Sequence, residues 1–231
     1  MDNNIPSISP DASPTDILCL GIEAANGPVS LACSFSPEDV AIINIAHGAG
    51  LKMGIFAIDT GRLHEETYEV AEALTERYRI QIKWYFPQHE AVEKLEREKG
   101  LFSFRESLAN RHECCHIRKV EPLSRALKDL KGWVTGMRRQ QGVTRSDLAA
   151  IERDDLNGGI LKINPLIEWS EEQLQTYAAE HNLPANRLFS QGYRSIGCAP
   201  CTRAVQPGED ARAGRWWWEN PENKECGLHR R

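Results

Sequence analysis

Long apolar runs are missing from this chain: no stretch approaches the roughly 20 residues needed to cross a bilayer, so no membrane span is expected. Residues Met1 to Ala12 are polar and rich in Pro and Ser, without the basic-then-apolar pattern of a secretory leader. A cytoplasmic protein is therefore expected. Positive charge is also in short supply. The 28 Lys and Arg against 33 Asp and Glu leave a formal net charge of −5. Proteins that coat nucleic acid are usually basic, so no nucleic-acid partner is expected. Internal repeats are absent, and so is the glycine-rich, lysine-bearing loop of Walker-type nucleotide sites.

What is present is an ordinary soluble composition over 231 residues, 41% hydrophobic and 26% charged, long enough to bury one sizeable core. Ser13-Pro14 is a helix start, with Ser13 as cap and Pro14 at the first helical position, and Asn26-Gly27-Pro28 ends that helix. Val29 to Cys33 reads as a strand, followed by Ser34-Phe35-Ser36-Pro37-Glu38-Asp39 and a helix from Glu38 to Ala49. The unit then repeats. A strand at 53–58 ends in Asp59-Thr60-Gly61-Arg62 before a helix at 64–78, and a third strand at 80–86 precedes a helix at 88–99. A short strand at 133–136 and strands around Ile151 and Ile160 to Ile163 follow, with a turn between the last two, and Ser170 caps a final helix. Strands alternating with helices predict an α/β fold, a mostly parallel twisted sheet with helices on both faces. In such sheets ligands bind beyond the carboxyl ends of the strands. Ser34, Ser36, Asp59 and Thr60 fall at those ends and are candidate ligand contacts. Hydroxyls and backbone N–H groups at a helix start suit an anion, although a plain helix cap would need only one of the two serines. The boundaries expected are an α/β domain over 1–203 and a mobile C-terminal tail over 204–231.

Cysteine is the informative residue. Seven cysteines in a reducing compartment point to metal or catalysis before disulfides. Cys114-Cys115 and Cys198-Ala199-Pro200-Cys201 form two close pairs, which can ligate zinc or hold an iron–sulfur cluster. Adjacent helical residues point about 100° apart, so Cys114 and Cys115 suit different corners of a four-iron cube better than one small ion. Cys226 stands near a histidine and after Arg212 and Arg215, a setting that favours a reactive thiolate.

Several blocks together resemble the iron–sulfur adenylyl-sulfate (APS) reductases, within the ATP-pyrophosphatase-like superfamily. They are Arg111-His112-Glu113-Cys114-Cys115-His116-Ile117-Arg118-Lys119-Val120, Gly197-Cys198-Ala199-Pro200-Cys201-Thr202, Thr135-Gly136-Met137-Arg138-Arg139, the run from Gly208 to Glu219, and Lys224-Glu225-Cys226-Gly227-Leu228-His229. The loop Ser34 to Asp39 is similar to the superfamily's pyrophosphate loop but lacks its glycine pair.

The resemblance implies reduction of APS to sulfite and AMP in sulfate assimilation, with thioredoxin as reductant. Cys226 would become an S-sulfocysteine, Cys114, Cys115, Cys198 and Cys201 would hold a 4Fe–4S cluster, and Lys119, Arg145, Arg212 and Arg215 would contact the phosphosulfate. A homo-oligomer is expected. The competing readings are the same chemistry on the 3′-phosphorylated nucleotide (PAPS), and a zinc-containing ATP-pyrophosphatase-type nucleotidyl or thiolation enzyme.

Overall fold

The computed structural model describes residues 5–141 and 148–220. Helix α1 (Pro14–Ala25) begins at the expected cap. Ser13 accepts from the Asp16 backbone N–H while the Asp16 side chain returns the bond, and Asn26 closes the helix in the left-handed conformation. Strand β1 (Val29–Cys33) alternates buried and half-buried residues and leads into α2 (Pro37–Gly48), capped by Ser36. The chain continues through β2 (Gly54–Ile58), α3 (Glu65–Tyr78), β3 (Lys83–Tyr85) and α4 (His89–Lys99). The segment after α4 holds α5 (Leu108–Cys115), a π-helical turn (His116–Val120) and α6 (Glu121–Leu127). Strands β4 (Gly132–Val134), β5 (Ile151–Asp154) and β6 (Ile160–Ile163) and helix α7 (Glu171–Glu180) complete the regular elements.

The six strands are ordered β3-β2-β1-β4-β6-β5. β1 runs parallel to β2 and to β4, and β4 parallel to β6, so the expected mostly parallel sheet is present. β5 is antiparallel to β6, with Ile151 opposite Ile163. The cause is local: the Asp154 to Gly159 turn joins adjacent strands directly, without a crossover helix.

The chain divides into two compact units, and they interleave in sequence. Unit 1 comprises 1–57, 70–83 and 127–185; unit 2 comprises 58–69, 84–126 and 186–231. In unit 1 the core is built from Leu18, Leu31, Ile42, Val134, Leu161 and Ile163, all at most 1% exposed. In unit 2 the buried cluster is Leu95, Phe104, Cys114, Cys198, Cys201 and Trp216. The boundary expected at 203/204 falls inside unit 2. There Arg203 N–H donates to Gly214 O, Thr202 bridges Arg215, and Trp216 N–H donates to Cys201 O. The described part of the expected tail, 204–220, is thus stitched to the Cys198–Cys201 turn. Gly214 is a packing requirement in that seam, because a Cβ there would lie 2.2 Å from Arg203 O.

Candidate active site

The loop after β1 belongs to unit 1. Asp39 is buried, and its Oδ2 accepts from Ser34 N–H (2.7 Å), Ser34 Oγ (2.8 Å) and Ser36 N–H (3.3 Å). Ser36 Oγ accepts from Asp39 N–H in return. The Ser36 hydroxyl therefore caps α2, and the Ser34 hydroxyl is engaged by Asp39. Phe35 between them takes φ 64°, a left-handed conformation that bulky residues rarely adopt and that a glycine would accept freely. Burial pushes the Asp39 carboxyl up from 3.8 to about 6; Ser34 and Ser36 pull the other way, and neighbouring Glu38 adds to the rise. Glu38 is itself buried and receives Arg138 Nη2 at 2.8 Å and Gln141 Nε2 at 2.8 Å. This arrangement ties the Thr135–Arg139 block to the first turn of α2.

Unit 2 holds a different kind of site. Arg111, Cys114, Cys115, Arg118 and Lys119 line one cavity, and their spacing of 0, 3, 4, 7 and 8 is a single helical face. The stripe crosses from α5 into the π turn, which widens the helix where Arg118 and Lys119 emerge. Cys198, Cys201, Arg215 and Trp216 enter from the C-terminal segment, and Arg62 and Phe104 complete the wall. The cavity encloses about 380 Å³, open mouth included. Among the described residues its lining is four thiols, five cations, two aromatic rings and no carboxylate.

Three cations of the wall are balanced by acids that do not line it. Glu96 accepts from Arg62 (2.8 Å) and Arg118 (2.6 Å), and Glu219 accepts from Arg111 (2.7 Å). The loop after β2 also belongs here. Thr60 Oγ1 lies 3.3 Å from Cys198 Sγ, Arg118 Nη1 donates to Thr60 O at 2.7 Å, and Ala199 N–H donates to Arg62 O at 2.8 Å. Asp59 shapes that turn, accepting from Gly61 N–H (2.7 Å) and Tyr68 OH (2.9 Å). Burial raises Cys114 and Cys201, the latter to about 12 with help from the neighbouring thiols. Cys198 goes the other way: burial would raise it, but Lys119, the Thr60 hydroxyl, Arg215 and Arg118 together lower it.

The structure thus brings together Cys114, Cys115, Cys198, Cys201, Thr60, Lys119 and Arg215. Arg212 is half-buried outside that wall, its N–H on Asp210 Oδ1 (2.8 Å). Ser34 and Ser36 belong to unit 1, and Arg145 and Cys226 lie outside the described residues. Among the described residues, no three His, Cys, Asp or Glu side chains converge tightly enough to hold one metal ion as they stand. Sequence reasoning passed over Arg62, Arg111, Arg118, Phe104 and Trp216 as wall residues. All but Phe104 stood in quoted motifs, and the helical spacing of Arg111 and Arg118 with the cysteine pair was the available signal.

Residues 28–204 match the family model described as the phosphoadenosine phosphosulfate reductase domain. The chain belongs to this family. Among its relatives, a protein from Burkholderia cepacia named adenosine 5'-phosphosulfate reductase is 46% identical over 97% of this chain and 89% of its own length. One of the same name from Allochromatium vinosum is 45% identical over 98% of this chain and 90% of its own length. The solved phosphoadenylyl-sulfate reductase of Candida auris superposes with TM-score 0.70 at 26% identity, over 87% of this chain and 99% of that one. The FMN adenylyltransferase of Candida glabrata shares the fold, at TM-score 0.55 and 16% identity over 96% of this chain and 78% of that one.

Proposed function

We propose that this protein reduces adenylyl sulfate to sulfite and AMP, with Cys226 as nucleophile and thioredoxin as electron donor, in the cytoplasm. Two findings support the reading: relatives of that name match over nearly the whole chain, and the unit 2 cavity combines four thiols with five cations. The cavity carries the argument, because transfer between anions needs fixed positive charge around the reacting sulfur.

The Cys226 thiolate would attack the sulfur of the sulfate–phosphate anhydride. The S–O bond to phosphate breaks, AMP leaves with that oxygen, and Cys226 carries an S–SO₃⁻ group. A thioredoxin thiolate then attacks the Cys226 sulfur and sulfite departs; the second thioredoxin thiol resolves the mixed disulfide, supplying two electrons in all. Lys119 and Arg215, with Arg145 and Arg212, would hold the phosphosulfate oxygens, Arg by paired donors and Lys as a point charge.

Cys114, Cys115, Cys198 and Cys201 would hold a 4Fe–4S cluster. The residues fit it. One zinc needs four donors converging on a point about 2.3 Å from each sulfur, whereas these thiols are spread around a shared cavity whose wall is otherwise cationic. A bound cluster would supply fixed negative charge beside Lys119, without passing electrons to substrate. If loss of the cluster left APS affinity and S-sulfonation rate intact, that electrostatic role would be wrong.

The deciding experiment is intact-protein mass spectrometry after mixing iron-loaded protein with APS. One SO₃ adduct is expected, absent in Cys226→Ser and removed by reduced thioredoxin. No adduct on the iron-loaded wild type overturns the reading. PAPS is the second candidate substrate, favoured by the likeness to the Candida auris enzyme; turnover of the two nucleotides side by side separates them.

A further inference from the structure

Trp216 has an unusual position in unit 2. It is 1% exposed, and it lines the cavity together with its immediate neighbour Arg215. Consecutive residues of an extended chain point to opposite sides. Here the backbone at Trp216 turns through φ 41°, a left-handed conformation costly for a bulky side chain, and that turn brings both side chains to one wall. Two anchors fix it: Trp216 N–H on Cys201 O at 3.1 Å and the Thr202–Arg215 bridge.

The indole then carries two guanidiniums. The Arg111 Cζ stands 4.5 Å from the ring centroid, and the Arg215 Cζ 4.6 Å. Both groups are cations, and three features hold them at the ring. The ring quadrupole attracts both cations. Glu219, itself half-buried, receives the buried Arg111 Nε at 2.7 Å. Arg215 is steadied at its edge, where Nη1 donates to Ile196 O at 3.2 Å, and its head sits so near Gly197 that a Cβ there would meet Nη2 at 2.3 Å.

We propose that Trp216 is a positioning residue for anion binding: it aims the Arg215 guanidinium into the cavity and, through the Arg111–Glu219 pair, keeps the second cation from displacing it. The proposal rests on the reading above, in which Arg215 faces the phosphosulfate. It predicts that the Trp216 contribution to substrate affinity passes through Arg215.

The test is a double-mutant cycle on iron-loaded protein carrying Cys226→Ser, with APS binding measured by calorimetry and iron measured on every sample. Trp216→Leu should weaken APS binding on the order of 10-fold, whereas Trp216→Phe, which keeps an aromatic face, should stay within about threefold. In an Arg215→Ala background Trp216→Leu should have almost no further effect. The proposal is overturned if Trp216→Leu weakens binding equally with and without Arg215, or if affinity across the series simply follows iron content. It is also overturned if Arg215→Ala leaves APS affinity unchanged. Failure of the functional reading looks different: the wild type would not turn over APS at all.

Discussion

The loop after β1 and the cysteine cavity are both polar sites in an α/β protein, but their chemistry is opposite. In the loop every polar group shown has a partner of complementary character: Asp39 gathers two N–H groups and a hydroxyl, and Glu38 is neutralised by Arg138. In the cavity the wall is cationic and the balancing carboxylates, Glu96 and Glu219, stand behind it. A self-satisfied loop stabilises a helix start. A wall whose counter-charges are set back leaves a field for an anion to fill.

That contrast can be broken most directly at the thiols. Cys198→Ser should abolish bound iron and acid-labile sulfide and lower turnover by at least about 100-fold, while Ser34→Ala leaves iron content unchanged; colorimetric iron and sulfide assays on the two proteins decide it. Next in size is the charge pair behind the wall. Glu219→Ala strands the buried Arg111 without its partner, and urea titration should show a loss of roughly 3–5 kcal/mol. On the loop side the helix cap is a smaller effect than that charge pair. Ser36→Ala removes the cap of α2 and should cost about 1 kcal/mol, read as a lower urea midpoint with normal iron content. An unchanged midpoint would mean the hydroxyl does not cap in solution.

A pH signature is expected at the same loop. Asp39 has a folded-state pKa raised to about 6 from 3.8, so the folded protein holds this proton more tightly than the unfolded chain does. Its contribution to stability is fully present below about pH 3.8 and is lost as pH rises through about 6. The difference in stability between wild type and Asp39→Asn should therefore slope against the wild type across that window and flatten above it. Denaturation at four pH values between 4 and 7 measures the slope.

Local signals were legible where a single residue type does a local job. Ser13 and Ser170 cap the helices that the sequence assigned to them, Ser36 caps α2 where a ligand contact was expected, and β1 has the expected bounds. The third strand is shorter than its apolar pattern suggests, Lys83–Tyr85 instead of 80–86, because it lies at the sheet edge where a ladder forms on one side only. The role of Thr60 was half legible: its place after β2 was clear, but its contact with Cys198, 138 residues away, was not.

The amino-acid order by itself determined the strand–helix alternation, the caps, the two cysteine pairs and the resemblance that groups this chain with its relatives. Only the tertiary structure decided that Arg62, Arg111, Arg118 and Trp216 share a wall with those cysteines, and that Glu96 and Glu219 stand behind it. The reason is range. Caps and helical faces are set by bonds within a few residues, whereas the field inside a cavity is the sum of charges that only folding brings within ångströms of one another.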